Sequence, residues 1–354
     1  MVLAVEEKNR LQQTLDRVPS PNFNLAIRNL LLREIAGDIL NERPVLQKLA
    51  ERVRNEIRIF PIKKKEVFVK VAGVDAGSQI IPLASRQYAI IGALAYRLPN
   101  CERFFLSPES IVQTYNDSKN VLSNIVNLRR EAKLFETAFR FLENYPDTEL
   151  VLIDGPLAFS NWWRNGSEEK DQKRLVDSIN KLLFYCRDND ILLAGIVKRP
   201  SARYLLHYIG LNNEADFNDV SVLQKVLNSG ERTDIFCPQT ALRMAAKNSY
   251  VMDVIESPIY SFYARMSPEW NIPPIRIDLP VFSLSYLDEI VSYCYSTSIW
   301  QGIPLSIVRA DEEVRVSRKF IADVYSEILA RVGRECGEVS QLVPYWGEGG
   351  WMGV

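Results

Sequence analysis

The chain has 354 residues, of which 47% are hydrophobic and 25% charged, the balance of a folded globular protein and not of a disordered one. Its net charge of -1 excludes a surface coated in basic residues, so any anionic polymer it binds must meet positive charge gathered locally in a groove. There is one histidine, His207, set among apolar and aromatic neighbours; it reads as a packing residue, and a multi-histidine metal site or a histidine-based nucleophile within one chain is excluded. Acid, base or metal chemistry must therefore run mainly on carboxylates.

The five cysteines, Cys101, Cys186, Cys237, Cys294 and Cys336, form no close pair, so they read as reduced thiols in a cytoplasmic protein. The opening segment meets acidic residues early, unlike a secretory signal, and no apolar run reaches the roughly 20 residues of a membrane helix.

Residues 1–66 read as an N-terminal helical region. From Ala26 to Ile57 leucine and isoleucine recur at three- and four-residue spacing, and the lysines 63–65 end the segment as a solvated linker. Residues 67–75 then change period: β-branched residues alternate, a strand is expected, and it ends at Asp75. Strands are also expected over 87–98 and 102–107, completing an antiparallel meander. A long helix is expected from Glu109 to Asn144, where Tyr145, Pro146 and Asp147 break it. The almost wholly apolar run 149–155 follows, the pattern of a strand covered on both faces.

Three strands, a crossover helix and a fourth strand place the fourth parallel to the first under the right-handed crossover rule. Asp75 and Asp154 then share one edge of the sheet. The alternation continues with a helix over 173–187, a strand over 191–199 carrying Lys198, and a helix-rich region. A strand over 274–282, a helix over 287–300 and a last helix from about Glu312 to Val332 complete the pattern. Residues 333–354 read as an irregular tail. The expected fold is α/β, a mixed sheet flanked by helices, with residues 67–332 as its domain.

An aspartate at the end of an apolar strand is a costly placement unless something neutralises it. One such residue is ordinarily a helix cap or turn; two on neighbouring strands repel each other unless a cation sits between them, and oxygen-only ligands suit Mg²⁺ or Mn²⁺. The crossover helix offers Glu131 and Glu136 as a third carboxylate. At about 100° per residue, Glu131 projects from the middle of the face formed by Leu128, Leu134, Phe135, Ala138, Phe139 and Leu142, whereas Glu136 lies roughly 120° from its centre. Height agrees: the helix runs on about 18 Å beyond Glu131, and the following strand climbs back about 17 Å to Asp154. Glu131 is the expected ligand and Glu136 a solvated charge.

The order of these motifs resembles the NurA nuclease family. The carrying segments are GVDAGSQ (73–79), the glutamate-bearing helix, LVLIDGPL (150–157), GIVKRP (195–200) and QGIPLSIVRADEEVRVS (301–317). Two departures stand out: Ile303 replaces a frequent tyrosine, and Asp311 replaces the histidine of some relatives. The resemblance implies a ribonuclease H-like fold for this mixed sheet and a metal-dependent deoxyribonuclease that processes DNA ends in double-strand break repair, of the 5′-to-3′ exonuclease and single-strand endonuclease type. It implies Mn²⁺ or Mg²⁺ as cofactor, a homodimer, and a HerA-type hexameric ATPase as partner. It assigns Asp75, Glu131, Asp154 and Asp311 as catalytic metal ligands. Asp311 would then open the last helix, with that helix's N-terminus facing the site. Lys198 and Arg199 are expected at DNA phosphate, with Arg129 and Arg130 as further backbone contacts or plain surface charge. Two alternatives stay open: a catalytically weakened adaptor that docks to the ATPase, and another ribonuclease H-like nuclease such as a junction resolvase.

Overall fold

A computed structural model describes residues 23–65, 67–83, 86–114, 122–158, 169–245, 255–299 and 301–337. The expected helices before residue 23 and the tail from 338 lie outside the described residues. One ten-stranded mixed sheet organises the rest.

Helix α1 (Phe23–Glu56) packs through Leu49, Ala50 and Val53, while Leu32, Ile35 and Ile39 in its first half are exposed. Strand β1 (Ile59–Pro61) follows it and pairs with a later strand, so the N-terminal segment is not wholly helical. The meander consists of β2 (Val71–Pro82), β3 (Arg86–Leu98) and β4 (Glu102–Phe105), with β3 antiparallel to both neighbours. A further strand, β5 (Glu109–Thr114), pairs with the first half of β3 where a helix start was expected. Its period-2 burial, alternating half-buried and exposed, is that of a one-faced edge strand.

Helix α2 (Leu122–Asn144) crosses over the sheet to β6 (Leu150–Ile153), which is fully buried and parallel to β2. Helix α3 (Glu169–Asp188) then leads to β7 (Leu192–Val197), parallel to β6. This is the ribonuclease H-like order expected from the sequence. The region read as helix-rich contains α4 (Tyr204–Tyr208), α5 (Asp219–Val226) and α6 (Pro238–Ala245), but also β8 (Glu231–Thr233) and β9 (Ile259–Arg265). Strand β9 pairs with β10 (Ile275–Pro280), and β10 runs antiparallel to β7. A 3₁₀ turn leads into α7 (Leu287–Thr297). The expected last helix is two: α8 (Leu305–Val314) and α9 (Arg318–Cys336), the second capped by the Ser317 hydroxyl, which accepts from the Phe320 amide at 3.1 Å. The second reaches Cys336, so the start of the expected irregular tail is helical.

The pleat sorts the two faces of the sheet. Ala72, Val74, Val151, Ile153 and Leu193 pack against α2 and α3. Val71, Leu150, Leu152, Ala194 and Ile196 pack on the opposite face with α7 and Ile307 of α8. No described helix is long and apolar enough to cross a membrane.

Candidate functional site

Strand β2 does not end at Asp75, where the sequence pattern places its end; it continues to Pro82 against β3. What ends there is its pairing with β6, whose last registered pair is Val74 with Ile153. The Asp154 amide then donates to the Val74 carbonyl at 2.8 Å. Asp75 and Asp154 are thus adjacent at the point where the parallel ladder opens, and by strand parity both face α8.

Helix α8 lies close on β2 because of two glycines. A Cβ on Gly73 would stand 2.3 Å from the Ser306 carbonyl carbon, and one on Gly77 would stand 2.6 Å from the Val314 carbonyl oxygen. Both separations are forbidden for real side chains. Asp75 sits between these glycines on β2, and Asp311 sits between Ser306 and Val314 on α8. The carboxylates of Asp75, Asp154 and Asp311 each bring an oxygen within 4.8 Å of the others. Asp311 is the seventh residue of α8, not the first of the last helix. The expected helix N-terminus facing the site is therefore absent, and so is a capping role for Asp311.

Lys198 lies one residue past the end of β7, not within it. Its Nζ binds Asp154 Oδ2 at 2.5 Å and Asp311 Oδ1 at 2.8 Å. Burial and the neighbouring Asp154 push the Asp75 carboxyl well above the usual carboxylate range. Burial also raises Asp154, against the pull of Lys198, while Lys198 holds Asp311 below its ordinary value despite partial burial. Two buried acids side by side thus favour a retained proton, or a cation in its place.

Glu131 reaches this end from the other face of the sheet. Its Oε2 would stand 3.6 Å from a Cβ on Gly155, directly after Asp154, and it has no hydrogen-bond partner although buried. Its other oxygen accepts from Arg130 Nη2 at 2.6 Å, and burial raises its pKa. Glu131 stands beside the aspartates without joining their close cluster. Glu136 is elsewhere, bound by Arg174 at 2.7 Å and by Ser178. Arg129 is engaged with Asp171 at 3.0 Å, so neither it nor Arg130 is a free surface cation. A cleft of about 600 Å³ opens beside the aspartates, lined by Asp154, Lys198, Arg199, Ile303 and Asp311 among others.

Asp278 is a residue that the sequence pattern did not single out. It is fully buried on β10 and accepts from the amides of Leu157 and Ala158 at 3.1 and 3.2 Å, from Ser261 at 2.6 Å, and from Arg276 at 2.8 and 3.0 Å. The segment after Asp154 reaches it by crossing β7 at Gly195, where a Cβ would stand 2.7 Å from the Gly155 carbonyl oxygen. An aspartate in the middle of the apolar run 274–282 was the available signal.

No curated protein matches this chain by sequence. Among solved structures, the NurA nuclease from Sulfolobus solfataricus matches with 18% identity and a TM-score of 0.62, over 87% of this chain and 97% of that one. A crystal structure of NurA with manganese matches with 12% identity and a TM-score of 0.54, over 86% and 98%. The family model of the NurA domain matches residues 69–316, which contain all four expected carboxylates. The chain belongs to the NurA family.

Proposed function

We propose that this chain is a metal-dependent deoxyribonuclease whose cation is held by Asp75, Asp154 and Asp311, with Glu131 beside them. The observation that carries the reading is the convergence of three carboxylates from β2, β6 and α8 within 4.8 Å. The donor set is all oxygen, which suits Mn²⁺ or Mg²⁺. The unpartnered buried oxygen of Glu131 fits a site that expects one more positive partner. Manganese in a NurA structure of the same fold supports the same choice.

When bound, a divalent cation here neutralises the carboxylates, activates water as nucleophile and balances charge on the leaving oxygen. The chain's own groups set the geometry. Lys198 and the exposed Arg199 line the cleft beside the aspartates and are placed to meet phosphate oxygens. Asp278 fixes the backbone that leaves Asp154. The cleft's apolar wall, Ile272, Ile275 and Ile303, limits water around the diester. Ile303 presents no hydroxyl, so proton transfer falls to water, to the carboxylates or to Lys198.

Family membership supports the finer reading: processing of DNA ends in break repair, 5′-to-3′, in the cytoplasm, with a HerA-type ATPase. The exposed apolar residues of α1 support a homodimer. The test is digestion of end-labelled single-stranded DNA by the purified protein, with Mn²⁺ or with a chelator. Cleavage with Mn²⁺ that disappears in Asp154→Asn is expected, and the choice of labelled end reads polarity. No cleavage with Mn²⁺ would leave the adaptor reading, and undiminished cleavage by Asp154→Asn would remove the proposed centre.

A further inference from the structure

Trp270 is 80% exposed, the highest value among the described large apolar side chains. Folding gains little from an indole left in water, and its position is not that of a slack loop. The segment 266–274 joins β9 to β10 and begins with the buried Met266 and Ser267. The Ser267 hydroxyl accepts from the Glu269 amide at 3.2 Å, and the Ile272 amide donates to the Glu269 carbonyl at 3.2 Å, closing a turn with Trp270 at its tip. Gln224 Nε2 donates to the Trp270 carbonyl at 2.7 Å, and Arg265 donates to the Glu269 carbonyl at 3.4 Å. The backbone beneath the ring is thus fixed from α5 and β9.

The turn leads straight into the cleft. Ile272 and Pro273, two and three residues on, line it together with Asp154, Lys198, Arg199 and Asp311. Two residues span at most about 7 Å. The fixed backbone that carries this exposed ring therefore lies close to residues lining the cleft that holds the aspartates. The loop's single charge is Glu269, so it offers a planar apolar surface and no attraction for phosphate. Unpaired bases present such a face, and aromatic side chains beside a backbone-tracking groove stack them without regard to sequence.

We infer that Trp270 stacks on an unpaired base of a nucleic-acid strand lying in the cleft. The inference rests on the nuclease reading for its substrate and adds a site for the base next to the one for the phosphate. It implies a preference for strands whose bases are free, since a paired base has its faces covered by its neighbours.

The experiment measures dissociation constants without metal, so binding is read whether or not cleavage occurs. Oligothymidylate is compared with an abasic strand of equal length. Wild type is expected to bind the base-bearing strand about 5- to 150-fold more tightly. In Trp270→Ala the two strands should bind alike, and Trp270→Phe should restore most of the preference. Retention of the wild-type preference by Trp270→Ala overturns the inference. A change in self-association in Trp270→Ala, with strand preference intact, overturns it in favour of a protein interface. If wild type shows the preference but never cleaves with Mn²⁺, the stacking site stands and the nuclease reading falls.

Discussion

The Asp154 amide donates to the Val74 carbonyl at 2.8 Å, and this bond is the last rung joining β6 to β2. One residue further along β2 is Asp75. The two carboxylates meet because parallel pairing stops there, which opens a gap between β2 and the end of β6 that Asp311 enters from one face and Glu131 approaches from the other.

The approach of α8 depends on Gly73. Gly73→Ala places a methyl 2.3 Å from the Ser306 carbonyl carbon, backbone against backbone, so α8 must move. Overpacking of this kind costs about 1–3 kcal/mol. Loss of Mn²⁺-dependent activity is expected to exceed what the stability loss explains, since Asp311 moves with the helix. Thermal unfolding and activity measured on the same preparation check this; wild-type activity would mean that α8 is not what positions Asp311.

Glu131 and Glu136 separate cleanly. Glu131→Gln should reduce activity by roughly 10- to 100-fold, the usual range for groups that orient metal ligands. Glu136→Gln weakens a half-buried pairing with Arg174 and should cost about 1–3 kcal/mol of stability, with activity retained. Steady-state cleavage rates of the two variants decide the matter, and the opposite order would place the helix carboxylate wrongly.

This distinction is legible in the sequence because helix and strand have fixed rise and rotation, so phase and height follow from counting. Asp75 and Asp154 are legible for a similar reason: each interrupts an apolar β-branched run. The position of Asp311 is legible but its setting is not. Pro304 and Ser317 are the two helix-start signals that divide the region into α8 and α9; a single helix from Glu312 starts too late for the first and runs through the second. Strand β9 escapes the pattern because most of its residues are buried, which erases the alternation by which strands are recognised. The grip of Asp278 on residues 157 and 158 joins groups some 120 positions apart, which no local pattern encodes.

Lys198 supplies positive charge between Asp154 and Asp311. Lys198→Met should lower stability in chelator by about 2 kcal/mol, the scale of a charge-assisted hydrogen bond. The loss should shrink with Mn²⁺ present, because the cation takes over the neutralisation. Melting temperatures with chelator and with Mn²⁺ test this, and an equal loss under both conditions would count against a cation among these carboxylates.

Asp219 gives a pH dependence remote from the aspartates. Burial pushes its carboxyl up to about 6, although it accepts from the Leu205 and Leu206 amides and from the Tyr263 hydroxyl. Between pH 3.8 and about 6 the folded chain keeps a proton that the unfolded chain releases. Its contribution is therefore full below pH 3.8 and is lost as pH rises through about 6. The shift corresponds to about 3 kcal/mol. The stability difference between wild type and Asp219→Asn, followed by urea unfolding from pH 4 to 8, should move against wild type as pH rises; a flat difference would refute the assignment.

Asp75, Asp154 and Asp311 share one cation site in the proposed centre. Calorimetric titration of Mn²⁺ into wild type and into Asp75→Asn, Asp154→Asn and Asp311→Asn tests this most directly. Saturable binding in wild type, weakened by on the order of 10-fold or more in each variant, is the expected result, since each removes a charged ligand from one coordination sphere. Binding of equal strength in all four proteins would contradict it.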